Sequence, residues 1–231
     1  MNVVVLTGAG ISAESGVPVF RGADGLWEGH RVEDVATPEG FRRDAERVHQ
    51  FYNQRRRCLL EVEPNAAHRA LARLVADPKH RVTLVTQNID DLHERGGVRE
   101  VLHMHGELLK SRCQSCGAVF ECREDLSRAS ICSACGGMDC LRPHVVWFGE
   151  IPFHLDWVER ELGRADLFVS IGTSGRVYPA AGFVQAARDA GARTLELNLD
   201  PSEMSNLFDE SRQGRASELV PAWVSALLRG S

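Results

Sequence analysis

The sequence predicts an α/β fold in which a parallel, doubly wound sheet carries a smaller domain formed by two insertions. Three observations predict it. Apolar, β-branched runs at residues 3–6, 82–85, 167–171 and 194–197 each stop at a polar or glycine turn, and such near-continuous runs suit strands buried on both faces. Stretches of helical composition lie between them, and strands alternating with helices specify parallel pairing. Two segments, residues 18–61 and 106–143, break the alternation; the first is a glycine-rich loop with a helix, and the second holds six of the seven cysteines.

The elements follow in order. The first run enters the turn at Thr7-Gly8. Pro64-Asn65 opens an alanine- and leucine-rich helix that reaches Ala76, and Pro179 opens another that reaches Asp189, with Gly191 placed to end it. A last helix covers residues 217–228. The large parallel part is thus expected over residues 1–20, 62–105 and 144–231, and the small part over residues 21–61 and 106–143. Ligands of such sheets bind at the carboxyl ends of the strands. Those ends carry Gly8-Ala9-Gly10, Gln87-Asn88-Ile89-Asp90, Gly172-Thr173-Ser174 and Asn198-Leu199-Asp200, so all four sets should meet at one crevice.

Composition narrows the function. A net charge of −5 offers no general attraction to nucleic acid. No apolar run approaches the roughly 20 residues of a membrane span. Met1-Asn2-Val3-Val4-Val5-Leu6 leads straight into the glycine motif, without a basic leader or a small-residue cleavage site, which points to the cytoplasm. Seven cysteines in a reducing compartment point to a metal rather than to disulfides. Nothing in the sequence specifies an oligomeric state.

Gly8-Ala9-Gly10-Ile11-Ser12-Ala13 fits the G-x-G-x-x-G/A dinucleotide pattern directly after a strand. There, glycines let the backbone approach a pyrophosphate, and a following helix N-terminus favours its charge. The dehydrogenase version of the motif also needs an acidic residue about 20 positions later, at the end of a second strand. This chain instead has a breaker-rich loop, from Gly16 through Pro18 and Gly25 to Trp27. Hydride transfer is therefore disfavoured.

Cys113-x₂-Cys116 and Cys132-x₂-Cys135 are separated by 15 residues, a spacing that suits Zn²⁺. Four thiolates close a tetrahedron and leave no position for water or substrate, so the metal should be structural. Cys140 stays open as a substitute for Cys135, and Cys58 reads as a core residue. In the helix over residues 44–60, Val48, Phe51, Tyr52 and Leu59 form an apolar stripe on which Arg55 falls. Arg56 and Arg57 fall off it and should be solvated. A buried arginine needs an anionic partner, and guanidinium grips carboxylate bidentately. That partner is a ligand or one of the 32 acidic residues of the chain.

The string G-A-G-I-S-A-E-S-G followed by F-R, then T-Q-N-I-D-D-L-H, H-G-E-L, V-V-W-F-G-E, G-T-S and N-L-D in that order resembles the sirtuins, over residues 3 to about 228. The resemblance implies a Rossmann-like large domain, a small zinc-bearing domain, and NAD⁺ consumed as a substrate in the cleft between them. It implies removal of an acyl group from protein lysines, with release of nicotinamide, O-acyl-ADP-ribose and free lysine. His105 in the H-G-E-L match becomes the general base on the ribose hydroxyls, a task for a group that titrates near neutrality. Gln87, Asn88, Ile89 and Asp90 are expected to line the nicotinamide and ribose pocket, with Asp90 on the carboxamide.

By the same resemblance Phe20 covers the reactive ribose face, and Arg21 fixes the loop that ends at Trp27. Gly172, Thr173 and Ser174 meet phosphate or ribose, and Asn198, Leu199, Asp200 and Ala216 meet the adenosine end. Val145, Val146, Phe148 and Gly149 supply an edge on which the substrate peptide pairs as an added strand. The pair Tyr52 and Arg55 resembles the class III sirtuins, which remove succinyl, malonyl or glutaryl groups and bind the acyl carboxylate with that tyrosine and arginine. Small residues at Ala36 and Gly40 would leave room for the longer acyl chain, and Val19 stands where the deacetylase branch has aspartate. Desuccinylation is therefore expected, with deacetylation alongside it. Two rival readings are transfer of ADP-ribose to a protein and a zinc-ribbon interaction module. Against the second, Phe120 is the only aromatic residue between positions 106 and 143.

Overall fold

Strand β1, Asn2–Thr7, sits at the centre of a six-stranded parallel sheet and shows why its residues are there. Successive side chains of a strand point to opposite faces. Val3 and Val5 enter one apolar cluster, and Val4 and Leu6 enter another on the far side. The computed structural model describes residues 1–19, 26, 27 and 29–230.

After β1 come a short hairpin, β2 at Leu26–Trp27 and β3 at His30–Arg31, and three helices: α1 at Val32–Val35, α2 at Pro38–Arg43 and α3 at Ala45–Glu61. Helix α4, Ala66–Val75, leads into β4 at Arg81–Thr86; the single-turn helix α5, Leu92–Arg95, leads into β5 at Leu102–His103. Asn65 caps α4: its side chain accepts from Ala67 N, while His68 Nδ1 accepts the Asn65 N–H in return. Strands β6 at Gly106–Cys113, β7 at Val119–Glu121 and β8 at Leu141–Val145 form a separate antiparallel sheet in the order β7-β6-β8. The chain then runs through α6 (Leu155–Leu162), β9 (Leu167–Ile171), α7 (Phe183–Asp189), β10 (Arg193–Asn198), β11 (Glu210–Gln213) and α8 (Ala216–Arg229).

The large sheet has the order β11-β10-β9-β1-β4-β5 with every pair parallel. From β1 the chain builds outward through β4 and β5, then returns to the other side of β1 with β9. The topological switch point therefore lies between β1 and β9, where sheets of this kind hold their ligands. Helices α4 and α8 cover one face with Leu71, Leu74, Val220 and Trp223, and α6 and α7 cover the other with Val158, Leu162, Phe183 and Val184. Helix α3 packs its Val48, Phe51, Tyr52 and Leu59 against Leu108 and Leu109 of β6 and Val145 of β8.

The structure departs from the sequence reading at one structural point of the nucleotide loop. Among the described residues no α-helix follows it directly. Two isolated 3₁₀ turns, Ala9–Ile11 and Ala13–Ser15, take its place, and Gly16 at φ 95° ends the second. The helix dipole expected at a phosphate is accordingly missing. Strands β5 and β11 were not legible either, since β5 has two residues and β11 is polar and exposed throughout. Among the described residues no helix is long and apolar enough to cross a membrane.

Candidate active site and zinc centre

Two loops meet at the switch point at backbone contact. Gly8 N donates to Ile171 O at 3.0 Å and Gly10 N to Gly172 O at 2.8 Å. A Cβ on Gly10 would lie 2.7 Å from Gly172 Cα, and Gly172 itself has φ 63°. The glycines are thus required by the approach of one loop to the other. Ile11 turns into the core, whereas Ala9 and Gly10 remain half-buried and Ala13 exposed on the crevice rim. Beside them Asn198 Nδ2 donates to Thr173 O at 2.6 Å, and Gly214 N donates to Asn198 O. Ser174, Leu199 and Asp200 are exposed. Ala216 opens α8, whose Ser217 donates from both its N–H and its hydroxyl to Glu14. The four strand ends converge as the sequence predicts.

Below this rim lies a buried polar chain. His68 Nδ1 is occupied by the Asn65 N–H, so Nε2 carries the ring proton and faces Ser12 Oγ at 3.4 Å. Ser12 Oγ donates to Asp90 Oδ2 at 3.0 Å, and Leu92 N donates to Oδ1. Asn88 Nδ2 donates to Gly8 O and reaches Ser12 Oγ, both at 3.2 Å. Burial pushes the Asp90 carboxyl up to about 6, against the pull of these hydrogen bonds. A carboxylate so desolvated gains from any further N–H donor, and a primary carboxamide brings two. His68 was absent from the sequence reading, although the spacing Asn65-x₂-His68 carried a capping signal.

The two histidines flanking Met104 have different chemistry. His103 Nε2 lies 2.7 Å from Glu94 Oε1 and Nδ1 3.2 Å from Asn88 O. Burial acts to lower its pKa, but the Glu94 hydrogen bond and charge outweigh that and hold it above the ordinary value. Both nitrogens are engaged with acceptors, so His103 has no lone pair to offer. His105 is half-buried, and its Nδ1 lies 3.0 Å from Gln87 O. A carbonyl only accepts, so Nδ1 carries the proton and Nε2 keeps its lone pair. Burial lowers the His105 pKa, with the Gln87 bond opposing. The ring is a neutral base at neutral pH.

On α3, Tyr52 and Arg55 flank Trp27. The Trp27 and Tyr52 ring centroids are 6.2 Å apart, and Arg55 Cζ lies 4.9 Å from the Trp27 ring and 3.2 Å from the Phe51 ring. Arg55 Nη1 also donates to Phe51 O at 2.9 Å. Burial brings this guanidinium down to about 9, still a cation at neutrality. Trp27 thus packs against both Tyr52 and Arg55 of α3. Phe20 and Arg21 lie outside the described residues.

A Sir2 family model matches residues 8–179 of this chain. The chain belongs to the Sir2 family. Among its relatives, the NAD-dependent protein deacylase of Vibrio parahaemolyticus is 56% identical over 98% of this chain and 95% of its own. The NAD-dependent protein deacylase of Escherichia coli K12 is 58% identical over 99% of this chain and 83% of its own. A crystal structure of a Sir2 homolog–NAD complex superposes with a TM-score of 0.88 at 41% identity, covering 99% of this chain and 90% of that one.

In this Sir2 chain the four predicted zinc ligands come together: the Sγ atoms of Cys113, Cys116, Cys132 and Cys135 all lie within 4.8 Å of one another. Cys113–Cys135 and Cys116–Cys132 are each 3.8 Å apart. A tetrahedron with Zn–S bonds of about 2.3 Å has edges of about 3.8 Å, so the thiols fit one zinc ion. The two knuckles repeat one backbone pattern. Gly117 N donates to Cys113 O and Gly136 N to Cys132 O, while Cys113 N donates to Ala118 O and Cys132 N to Gly137 O. Each turn needs a left-handed residue four positions after its first cysteine, and Gly117 (φ 76°) and Gly136 (φ 71°) supply it. Cys140 Sγ sits 3.5 Å from Cys113 Sγ and donates to Gly137 O at 3.2 Å, beside the four.

The segment from the end of β8 onward in this Sir2 chain is tied to β6, to His105 and to Ala36. Val145 pairs with Gly106 of β6, Val146 N donates to His105 O, and Phe148 N donates to Ala36 O. Phe148 and Gly149 are exposed, and Gly149 has φ 90°.

Two readings of single residues are corrected, and a third residue gains a packing reason. Arg56 is fully buried rather than solvated; its Nε donates to Leu108 O and its Nη1 to Asn53 Oδ1. The small sheet covers that flank of α3 and meets the guanidinium with the Leu108 carbonyl, which an apolar stripe does not reveal. Cys58 is exposed, being on the outer side of α3. Gly40 is small for a packing reason, since a Cβ there would lie 2.6 Å from the carbonyl oxygens of Glu33 and Asp34.

Proposed function

We propose that this NAD-dependent protein deacylase acts on lysines that carry short dicarboxylic acyl groups, succinyl foremost, and removes acetyl groups as well. The observation that carries the reading is the Tyr52–Arg55 pair around Trp27. A desolvated guanidinium gains from a carboxylate that it can grip bidentately. An acetyl group offers no such partner.

The peptide adds along Val145, Val146, Phe148 and Gly149, and the bonds of this segment to β6, His105 and Ala36 support the place where the acyl-lysine enters. Bound NAD⁺ would supply an electrophilic ribose carbon and a nicotinamide leaving group, so that, with one water consumed, the acyl group would end on ADP-ribose and lysine would be freed. Asp90 would accept from the carboxamide, and Asn88 would serve the ribose. His105 takes a ribose hydroxyl proton at Nε2, its ring held by the Nδ1–H bond to Gln87. The glycine rim, with Thr173, Ser174, Asn198 and Ala216, holds the phosphates and adenosine. Zinc in its closed thiolate site holds the small sheet and touches no reacting atom. A reducing compartment such as the cytoplasm keeps those thiolates available.

Mass spectrometry of reactions with NAD⁺ and matched succinyl-lysine or acetyl-lysine peptides tests this. Nicotinamide with O-succinyl-ADP-ribose, formed faster than the acetyl product, is the expected result. Acetyl product alone reduces Tyr52 and Arg55 to structural residues, and absence of NAD⁺ consumption with either peptide overturns the assignment.

A further inference from the structure

Trp147 stands where the peptide segment meets the acyl side of the cleft. Its indole Nε1 donates to the Tyr52 hydroxyl at 3.0 Å, and both residues are buried, at 2% and 1% exposure. An indole N–H can only donate, so the Tyr52 oxygen must be the acceptor. Among the described residues that bond is the hydroxyl's only one. The phenol hydrogen therefore has no acceptor among them. Burial keeps Tyr52 protonated well above the usual tyrosine range, against the pull of the Trp147 bond, so that hydrogen stays available to a ligand.

The indole is itself held from several directions. Arg142 Cζ stacks 3.2 Å from its ring, and Phe41 packs at 5.2 Å. Trp147 N donates to Glu150 Oε2 at 2.8 Å, and Glu150 N returns a bond to Trp147 O, closing a tight turn. Glu150 is gripped by both nitrogens of the Arg142 fork, at 2.6 and 3.0 Å, and by Arg112 at 2.9 Å. Arg142 also donates to Val145 O. A cation over the ring face further polarises the indole N–H. Turning this side chain away from Tyr52 would undo its stack under Arg142 and its packing on Phe41.

We propose that Trp147 is a specificity-determining positioning residue: its indole N–H fills the acceptor site of the Tyr52 hydroxyl and so commits the Tyr52 O–H to the carboxylate of an acidic acyl group. The inference rests on the reading that Tyr52 and Arg55 bind that carboxylate, and it adds a cause for the direction of the tyrosine's bond. It also ties the peptide segment to the acyl terminus through one residue, since Phe148, next in the chain, anchors to Ala36 O.

The test is steady-state kinetics of the zinc-loaded chain with NAD⁺ and matched succinyl-lysine and acetyl-lysine peptides, for Trp147→Phe, Tyr52→Phe, Arg55→Met and the Trp147→Phe/Tyr52→Phe double variant. Phenylalanine keeps a ring under Arg142 and removes only the donor. We expect Trp147→Phe to raise KM for the succinyl peptide about tenfold, a difference of about 1.4 kcal/mol. The succinyl kcat should stay within about twofold of the parent, and KM for the acetyl peptide should rise far less than KM for the succinyl peptide. The double variant should be no worse on succinyl peptide than Tyr52→Phe alone, because the two act through one bond. Equal losses on both peptides, or additive losses in the double variant, would overturn the inference and leave Trp147 as packing. Arg55→Met separates the two levels. If it is selective against succinyl while Trp147→Phe is not, this inference alone falls. If Arg55→Met harms both peptides equally, the acyl-carboxylate reading falls and takes the inference with it. Should Trp147→Phe fail to fold, β-benzothienylalanine at position 147 replaces the N–H by sulfur in the same shape, and the same outcomes decide.

Discussion

His105 donates its Nδ1–H to the carbonyl oxygen of Gln87 across 3.0 Å, and this bond leaves Nε2 as the only basic atom of the ring. Gln87 ends the central part of the sheet beside β1, its N–H bound to Thr7 O. The tautomer of the base is therefore set by the sheet itself. His103, two residues earlier, spends both nitrogens on Asn88 and Glu94 and has no such atom.

Replacing His105 should stop chemistry and spare the fold. His105→Ala is expected to lower kcat at least about 100-fold on either peptide, the usual contribution of a general base. Circular dichroism and zinc content should match the parent. Turnover within a few-fold of normal would remove His105 from the role.

Arg55→Met should discriminate between acyl groups. Loss of a charge-assisted bond predicts about 10- to 100-fold lower kcat/KM on the succinyl peptide. The acetyl value should change by less than about threefold. The ratio of the two specificity constants is the readout, and an unchanged ratio makes Arg55 structural.

Metal analysis should find one zinc per chain. Cys113→Ser should lose it and lower the unfolding midpoint by at least about 5 °C, the shift that about 2 kcal/mol produces in a chain of this size. The same substitution leaves the His105 and Asp90 surroundings in place. A zinc-free variant as stable as the parent would mean that the thiol cluster folds without its metal.

Asp90 has a sign that can be worked out. Its folded pKa, about 6, lies above the ordinary carboxyl value because burial opposes its charge. The stability it contributes is full below the ordinary value near 4 and is lost as pH rises through 6. Asparagine does not titrate. The unfolding free energy of the parent minus that of Asp90→Asn, from urea titrations of the ligand-free protein, should fall by roughly 3 kcal/mol between pH 4 and 7 and then level off. A difference that is flat, or that rises with pH, would show that Asp90 is ionised without cost.

Much of this site is written in local sequence. The glycine turn after the first strand, the polar strand ends, the H-G-E-L histidine and the two cysteine knuckles each depend on neighbours a few residues away, and each holds its expected place in the structure. Helix α3 was half legible. Tyr52 and Arg55 follow from helical spacing, but Arg56 did not, because its partners are Leu108 O and Asn53 Oδ1, one of them 52 positions away. Trp147 reads as part of a peptide-binding run, and nothing in that run indicates that its indole reaches Tyr52 across 95 positions.

By itself, then, the sequence determined the buried parallel strands, the convergence of their ends and the zinc spacing, all of which are short-range periodicities or spacings. The tertiary structure alone decided which nitrogen of His105 carries the proton, why Gly10 and Gly172 must both be glycine, and which atom faces the Tyr52 hydroxyl. Those follow from groups far apart in the chain that are brought within hydrogen-bonding or van der Waals distance. At that range, donor and acceptor count and direction decide the outcome, and neither is encoded by any one segment.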